Sequence, residues 1–213
     1  FKEILHVTQI QELTALGYWA KFEYELYDVS VAGLIYNSTK AEYTEESILK
    51  MYEFNNTNDR IKHKLTELTD RKRIVVFVPS VSAAKKLATE VPNSAAVYGD
   101  MPKDEREYII RKFKEGKIRV VFNMQILTTG FDYPELDCII FGRCTSSLSL
   151  YYQMSGRGCR IHPDKKDCLI VDFSGMVQRF GKVEDFHYEQ QKGVWKLFGA
   201  NNVLLSGIPI HEI

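Results

Sequence analysis

Ile74-Val-Val-Phe-Val-Pro-Ser80 sets five apolar residues in succession, four of them β-branched, and then stops at a proline and a serine. So short and unbroken an apolar run fits a strand covered on both faces, because a half-exposed strand alternates polar with apolar residues. Beyond it Ala84, Leu87, Ala88 and Val91 recur at helical spacing, with Ser82 as a candidate N-cap. The alternation continues outward. Strands are expected at 95–98, 119–123, 138–141 and 168–171. A helix after Pro102 carries Tyr108, Ile109 and Phe113 to a stop at Gly116, and another starts after Ser146 or Ser147 and ends before Pro163. Strand and helix taking turns predicts an α/β fold, a parallel sheet with helices on both faces, over residues 71–175.

The flanks are less regular. Ile10, Leu13 and Leu16 with Gly17 suggest a short helix and its stop, Phe22, Tyr24 and Leu26 a half-exposed strand, and the apolar residues of 48–52 and 61–68 two helices around a polar turn. Residues 1–70 are therefore expected to be a flanking arm, and residues 176–213 a helical extension. The chain has 213 residues, enough for one main domain, with 28 Lys plus Arg against 28 Asp plus Glu. Nothing global attracts a polyanion, so any nucleic-acid contact must come from a local patch. A hydrophobic content of 45% excludes a disordered chain. No apolar run reaches membrane-spanning length and no signal pattern opens the chain, so a cytoplasmic setting is expected. Cys138, Cys144, Cys159 and Cys168 form no C-x-x-C pair and read as reduced thiols rather than metal ligands.

Chemistry concentrates in Gln153-Met-Ser-Gly-Arg-Gly-Cys-Arg160. On a helix, offsets of four and three would put Gln153, Arg157 and Arg160 on one face. A guanidinium is always charged and its planar fork matches phosphate oxygens, so two of them beside Gly156 and Gly158 point to a polyphosphate. The bland alternative is a pair of surface arginines with carboxylate partners.

Taken together, three stretches resemble the second RecA-like domain of superfamily 2 helicases: 74–80 its motif IV, 121–132 its motif V and 153–160 its motif VI. Tyr98-Gly-Asp-Met-Pro102 with Arg106 is similar to the motif IVa region. The wording Leu127-Thr-Thr-Gly-Phe-Asp-Tyr-Pro134 looks most like RadD-like bacterial and phage DNA helicases and restriction-enzyme motor subunits. The resemblance implies a RecA-like sheet and, as catalytic residues, Arg160 as arginine finger, Arg157 beside it on the γ-phosphate and Gln153 on a phosphate or the attacking water. It implies nucleotide contacts from Gly130, Asp132 and Gly156. It also implies nucleic-acid contacts from Ser80, Ser82, Gly99, Arg106, Thr128 and Thr129, for which capping and turn formation are the plain alternatives. One departure stands at Met124-Gln125, where the family often has Thr-Asp. The chain lacks a phosphate loop ending Gly-Lys-Ser/Thr and a strand-borne acidic pair, so ATP with Mg²⁺ is expected to be held by an upstream RecA-like domain of the same polypeptide. A start at Phe1 fits a piece of such a polypeptide, and residues 1–70 could include the end of that domain. The expected partner is DNA, with RNA as the alternative and no membrane; a non-catalytic nucleic-acid-binding or protein-docking module is the competing function.

Overall fold

The computed structural model describes residues 8–124, 133–191 and 194–211. Its centre is a six-stranded sheet in the order β1-β6-β5-β2-β4-β3. The strands are β1 (Phe22–Leu26), β2 (Ile74–Phe77), β3 (Ser94–Tyr98), β4 (Val120–Met124), β5 (Cys138–Phe141) and β6 (Cys168–Asp172), and every neighbouring pair is parallel. Around it lie α1 (Ile10–Ala15), α2 (Glu45–Phe54), α3 (Thr57–Glu67), α4 (Val81–Glu90), α5 (Lys103–Lys114), α6 (Leu148–Ser155) and α7 (Met176–Phe180).

The unbroken apolar strands are explained by two separate cores. Ile74, Val76 and Val78 join Ile61 and Leu65 of α3 and Ala84 and Leu87 of α4 on one face. Val75 and Phe77 point the other way, to Phe113 of α5, Tyr151 and Met154 of α6 and Val177 of α7. Side chains alternate along a strand, so a strand between two helical layers needs apolar residues at every position.

Four expectations are corrected. Residues ahead of 70 are more than an arm, because β1 pairs with β6 from Phe22↔Cys168 to Leu26↔Asp172 and buries Phe22, and α3 puts Ile61 at zero exposure. An edge strand has one covered side, which is why its sequence looked half-exposed. Ser80, not Ser82, caps α4: its backbone is extended and its Oγ accepts the Ala83 amide at 3.1 Å, while Ser82 is exposed in the first turn. The C-terminal region beyond α7 is antiparallel β-sheet rather than helix, in the order β7 (His187–Gln191), β8 (Val194–Phe198) and β9 (Leu204–His211). Mixed aromatic and charged residues fit either period there, and packing of Leu197 and Leu205 on the core decides it. Finally α6 ends at Ser155, well short of Arg157 and Arg160.

Candidate functional site

In an all-parallel sheet every strand starts at one edge and finishes at the other. Those predicted residues that are described divide between the two edges. Ser147 caps α6 by accepting the Leu150 amide at 3.2 Å, and Tyr151 anchors the helix with its ring stacked on Phe180 at 5.2 Å and its hydroxyl on the Gly181 carbonyl at 2.9 Å. The helix leaves the finishing end of β5 and runs back towards the start of β6. Its last turn tightens, with the Gly158 amide donating to Ser155 at 2.9 Å, and the chain carrying Arg157 and Arg160 becomes a turn. Gln153 remains on the exposed side of the helix, bonded to Ser149, so the three groups do not share a helical face. Arg157 and Arg160 are half-buried and both make contacts within the chain.

Several long-range bonds hold that turn. The Cys159 carbonyl accepts the Ala20 amide at 2.7 Å just before β1. Lys165 Nζ donates to the carbonyls of Gly158 at 2.6 Å and Arg160 at 2.8 Å, and reaches that of Pro134 at 3.4 Å. Burial pushes the Lys165 ammonium below its ordinary pKa, so these carbonyls substitute for water. Gly158 has a packing reason rather than a ligand one: a Cβ there would collide with Cys168 Sγ and stand 3.1 Å from Ile139 Cδ1 and Phe22 Cε1. Gly156 is the helix C-cap, in right-handed backbone. Beneath the turn, Asp137 takes the amides of Lys72 at 2.8 Å and Arg73 at 3.0 Å, although burial raises its pKa, and Arg71 pairs with Asp167. Lys165, Asp137 and Asp167 were not singled out from sequence. Their partners lie up to 96 residues away, and no local pattern signals that.

At the finishing edge, Ser80 and exposed Ser82 open α4 beyond β2, and Gly99 follows β3 with open space where a Cβ would stand. Arg106 is in the first turn of α5, half-buried, and its side chain has no hydrogen bond or ion pair among the described residues. Thr128, Thr129, Gly130 and Asp132, with Gln125, lie outside the described residues.

Residues 56–162 match the helicase conserved C-terminal domain family, half of the chain. The chain belongs to that family. This helicase C-terminal domain is 47% identical over 83 residues to IRC3 of Saccharomyces cerevisiae, provisionally named an ATP-dependent helicase, which covers 39% of the chain and 12% of IRC3. It is 30% identical over 140 residues to a 51.5 kDa protein of a Lactococcus phage, covering 62% of the chain and 30% of that protein. The domain thus spans a third or less of these relatives. Among solved structures, an HsdR subunit fragment, provisionally assigned to a type I restriction enzyme of Vibrio vulnificus, shares the fold at a TM-score of 0.66 and 17% identity, over 84% of this chain and 36% of that one. The type ISP restriction-modification enzyme LlaBIII, solved bound to DNA, shares it at 0.55 and 18%, over 80% of this chain and 13% of that one. Among the described residues no helix is long and apolar enough to cross a membrane.

Proposed function

We propose that this domain is the second motor lobe of an ATP-dependent superfamily 2 helicase or translocase and works against an upstream RecA-like lobe. The observation that carries the reading is the division of the motifs between opposite edges of one sheet: the motif VI turn at the starting edge, the motif IV and IVa residues at the finishing edge. One rigid layer of buried strands joins them. A shift of the starting edge against a nucleotide is then passed whole to the finishing edge.

The donor set at the starting edge fits phosphate. Two guanidiniums and an amide suit the oxygens of a triphosphate, and no cluster of three His, Cys, Asp or Glu among the described residues is placed for a metal. ATP bound by the upstream lobe supplies the phosphoanhydride to be cleaved, with its Mg²⁺ held on that lobe. Arg160 then stabilises the charge that develops on the transferred phosphoryl group, Arg157 orients the γ-phosphate, and Gln153 holds a phosphate oxygen or the attacking water. Gly156 is proposed to complete the nucleotide side, and Gly130 and Asp132 of motif V, outside the described residues, are proposed as further nucleotide contacts. At the other edge Ser80, Ser82, Gly99 and Arg106 grip the sugar-phosphate backbone of one strand, which fixes position without reading sequence, and Thr128 and Thr129 of motif V, outside the described residues, are proposed as further contacts to it. DNA is the proposed track, as in the LlaBIII complex that shares this fold.

In the full-length protein, Arg160→Ala lowers nucleic-acid-stimulated ATP turnover by about a thousandfold or more, with strand affinity nearly unchanged. Steady-state hydrolysis and fluorescence anisotropy on one preparation check this. Unchanged turnover rejects the finger role, and with it the motor reading.

A further inference from the structure

The chain has ten arginines, and eight of them make contacts within it. Arg71 pairs with Asp167, Arg73 with Tyr133, Arg111 with Glu115, and Arg119 with three carbonyls. Arg60 bonds the Asp28 carbonyl, Arg179 reaches Tyr36 and Tyr43, and Arg157 and Arg160 have partners in the chain. Arg106 and Arg143 remain. Neither side chain has a hydrogen bond or ion pair among the described residues, and both sit at the finishing edge of the sheet.

Arg143 is the more constrained of the two. It follows β5 by two residues, and its amide and that of Gly142 both donate to the Phe77 carbonyl at the end of β2, at 3.1 and 2.8 Å. Its Cα is therefore fixed between the finishing ends of β2 and β5. Between these two ends the strand order reverses, since the chain passes from β4 on one side of β2 to β5 on the other. Ligands of open α/β sheets gather at such a point. The Nε of Arg143 is shut off from water without a hydrogen-bond partner among the described residues. A buried donor left unmade is expensive, and at the mouth of a ligand-binding edge a bound oxygen is one way to satisfy it. Asp172, opposite Phe141 in β6, and Glu42, bonded to Thr145 and Ser146, lie in the neighbourhood, but neither forms an ion pair with Arg143 among the described residues, and a planar fork of five donors suits a phosphate.

We infer that Arg143 is a further contact to a backbone phosphate of the bound nucleic-acid strand, outside motifs IV, V and VI. This deepens the proposed function and rests on its strand-binding half. The ends of β5 and β3 lie three strand spacings apart, about 14 Å. At 3.4 Å of rise per nucleotide that distance spans about four nucleotides, so Arg143 and Arg106 bracket one continuous footprint across the edge.

The test compares wild type, Arg143→Gln and Arg143→Lys in the full-length protein, binding a fluorescein-labelled oligodeoxythymidine over a series of KCl concentrations. Arg143→Gln is expected to weaken binding about tenfold and lower the slope of log affinity against log salt by about one. Arg143→Lys keeps the slope, because the charge remains, while the loss of the fork weakens binding. The KM for ATP stays unchanged in both variants, which separates a strand phosphate from a nucleotide phosphate. Phenylglyoxal modification of the wild type, read by mass spectrometry, gives a second measure free of any folding defect: the oligonucleotide protects Arg143 and ATP alone does not. An unchanged slope or absent protection, with strand binding intact, overturns the Arg143 contact and leaves the motor reading standing. A raised KM for ATP with an unchanged slope assigns the guanidinium to the nucleotide and also overturns it. A wild type that does not bind the strand overturns the reading beneath.

Discussion

Gly158 shows how one residue of a recognised pattern can serve packing rather than a ligand. Two glycines beside two arginines suggested close approach by a nucleotide, and at Gly158 the close approach is that of the sheet. Cys168 Sγ, Ile139 and Phe22 occupy the space a side chain would need. The turn carrying the arginines is thereby pressed onto the starts of β1, β5 and β6. Gly158→Ala is expected to cost about 1–3 kcal/mol, the usual range for overpacking a well-filled site. Denaturant unfolding of the domain measures it, and a change under about 0.5 kcal/mol would show that the turn can lift off the sheet at little cost.

At the scale of elements, the loop between β1 and α2 is tied to the start of α6 by one carboxylate. Glu42 accepts from the Ser146 amide at 2.7 Å, the Tyr43 amide at 2.8 Å and the Thr145 and Ser146 hydroxyls, next to the Ser147 cap. Burial by itself would raise its pKa. The bonds from Ser146, Thr145 and Tyr43 outweigh burial and hold the carboxyl below its ordinary value. With the folded value depressed, the unfolded chain binds the proton more readily. The contribution of Glu42 is then complete above the ordinary carboxylate pKa and is lost as pH falls through the folded value. Wild type should melt roughly 2–4 °C above Glu42→Gln at neutral pH, with the gap closing in acid. Thermal melts of both proteins across the carboxylate range check this, and a gap independent of pH rules out the ionised form as the source.

For the molecule as a whole, the residues that look peripheral complete the fold. β1 covers the outer edge of β6, α3 seals one core, and α1 with β8 and β9 packs against the other. A fragment limited to 71–175 would lose Phe22, Ile61 and Leu65 from the cores and expose β6 as an open edge, a template for association. Such a fragment is expected to aggregate or melt without cooperativity, whereas residues 1–213 unfold in one transition. A cooperative, monomeric 71–175 fragment in calorimetry and light scattering would show that the flanks are dispensable.

The sequence by itself determined what depends on neighbours a few positions apart. Continuous apolar runs gave five of the six strands of the main sheet, helical spacing and stop signals gave α4, α5 and α6, and the motif residues were nameable from their order. Tertiary structure alone decided which of two edges the residues of motifs IV, IVa and VI occupy, that β1 joins the sheet, and that the C-terminal region is β. It also brought Lys165 to the carbonyls of the motif VI turn and left the Arg143 side chain between β2 and β5 with no hydrogen bond or ion pair among the described residues. The physical reason is range: periodicity and caps act over four or five residues, whereas these placements depend on strand pairing and burial between segments dozens of residues or more apart, where the sequence carries no local mark.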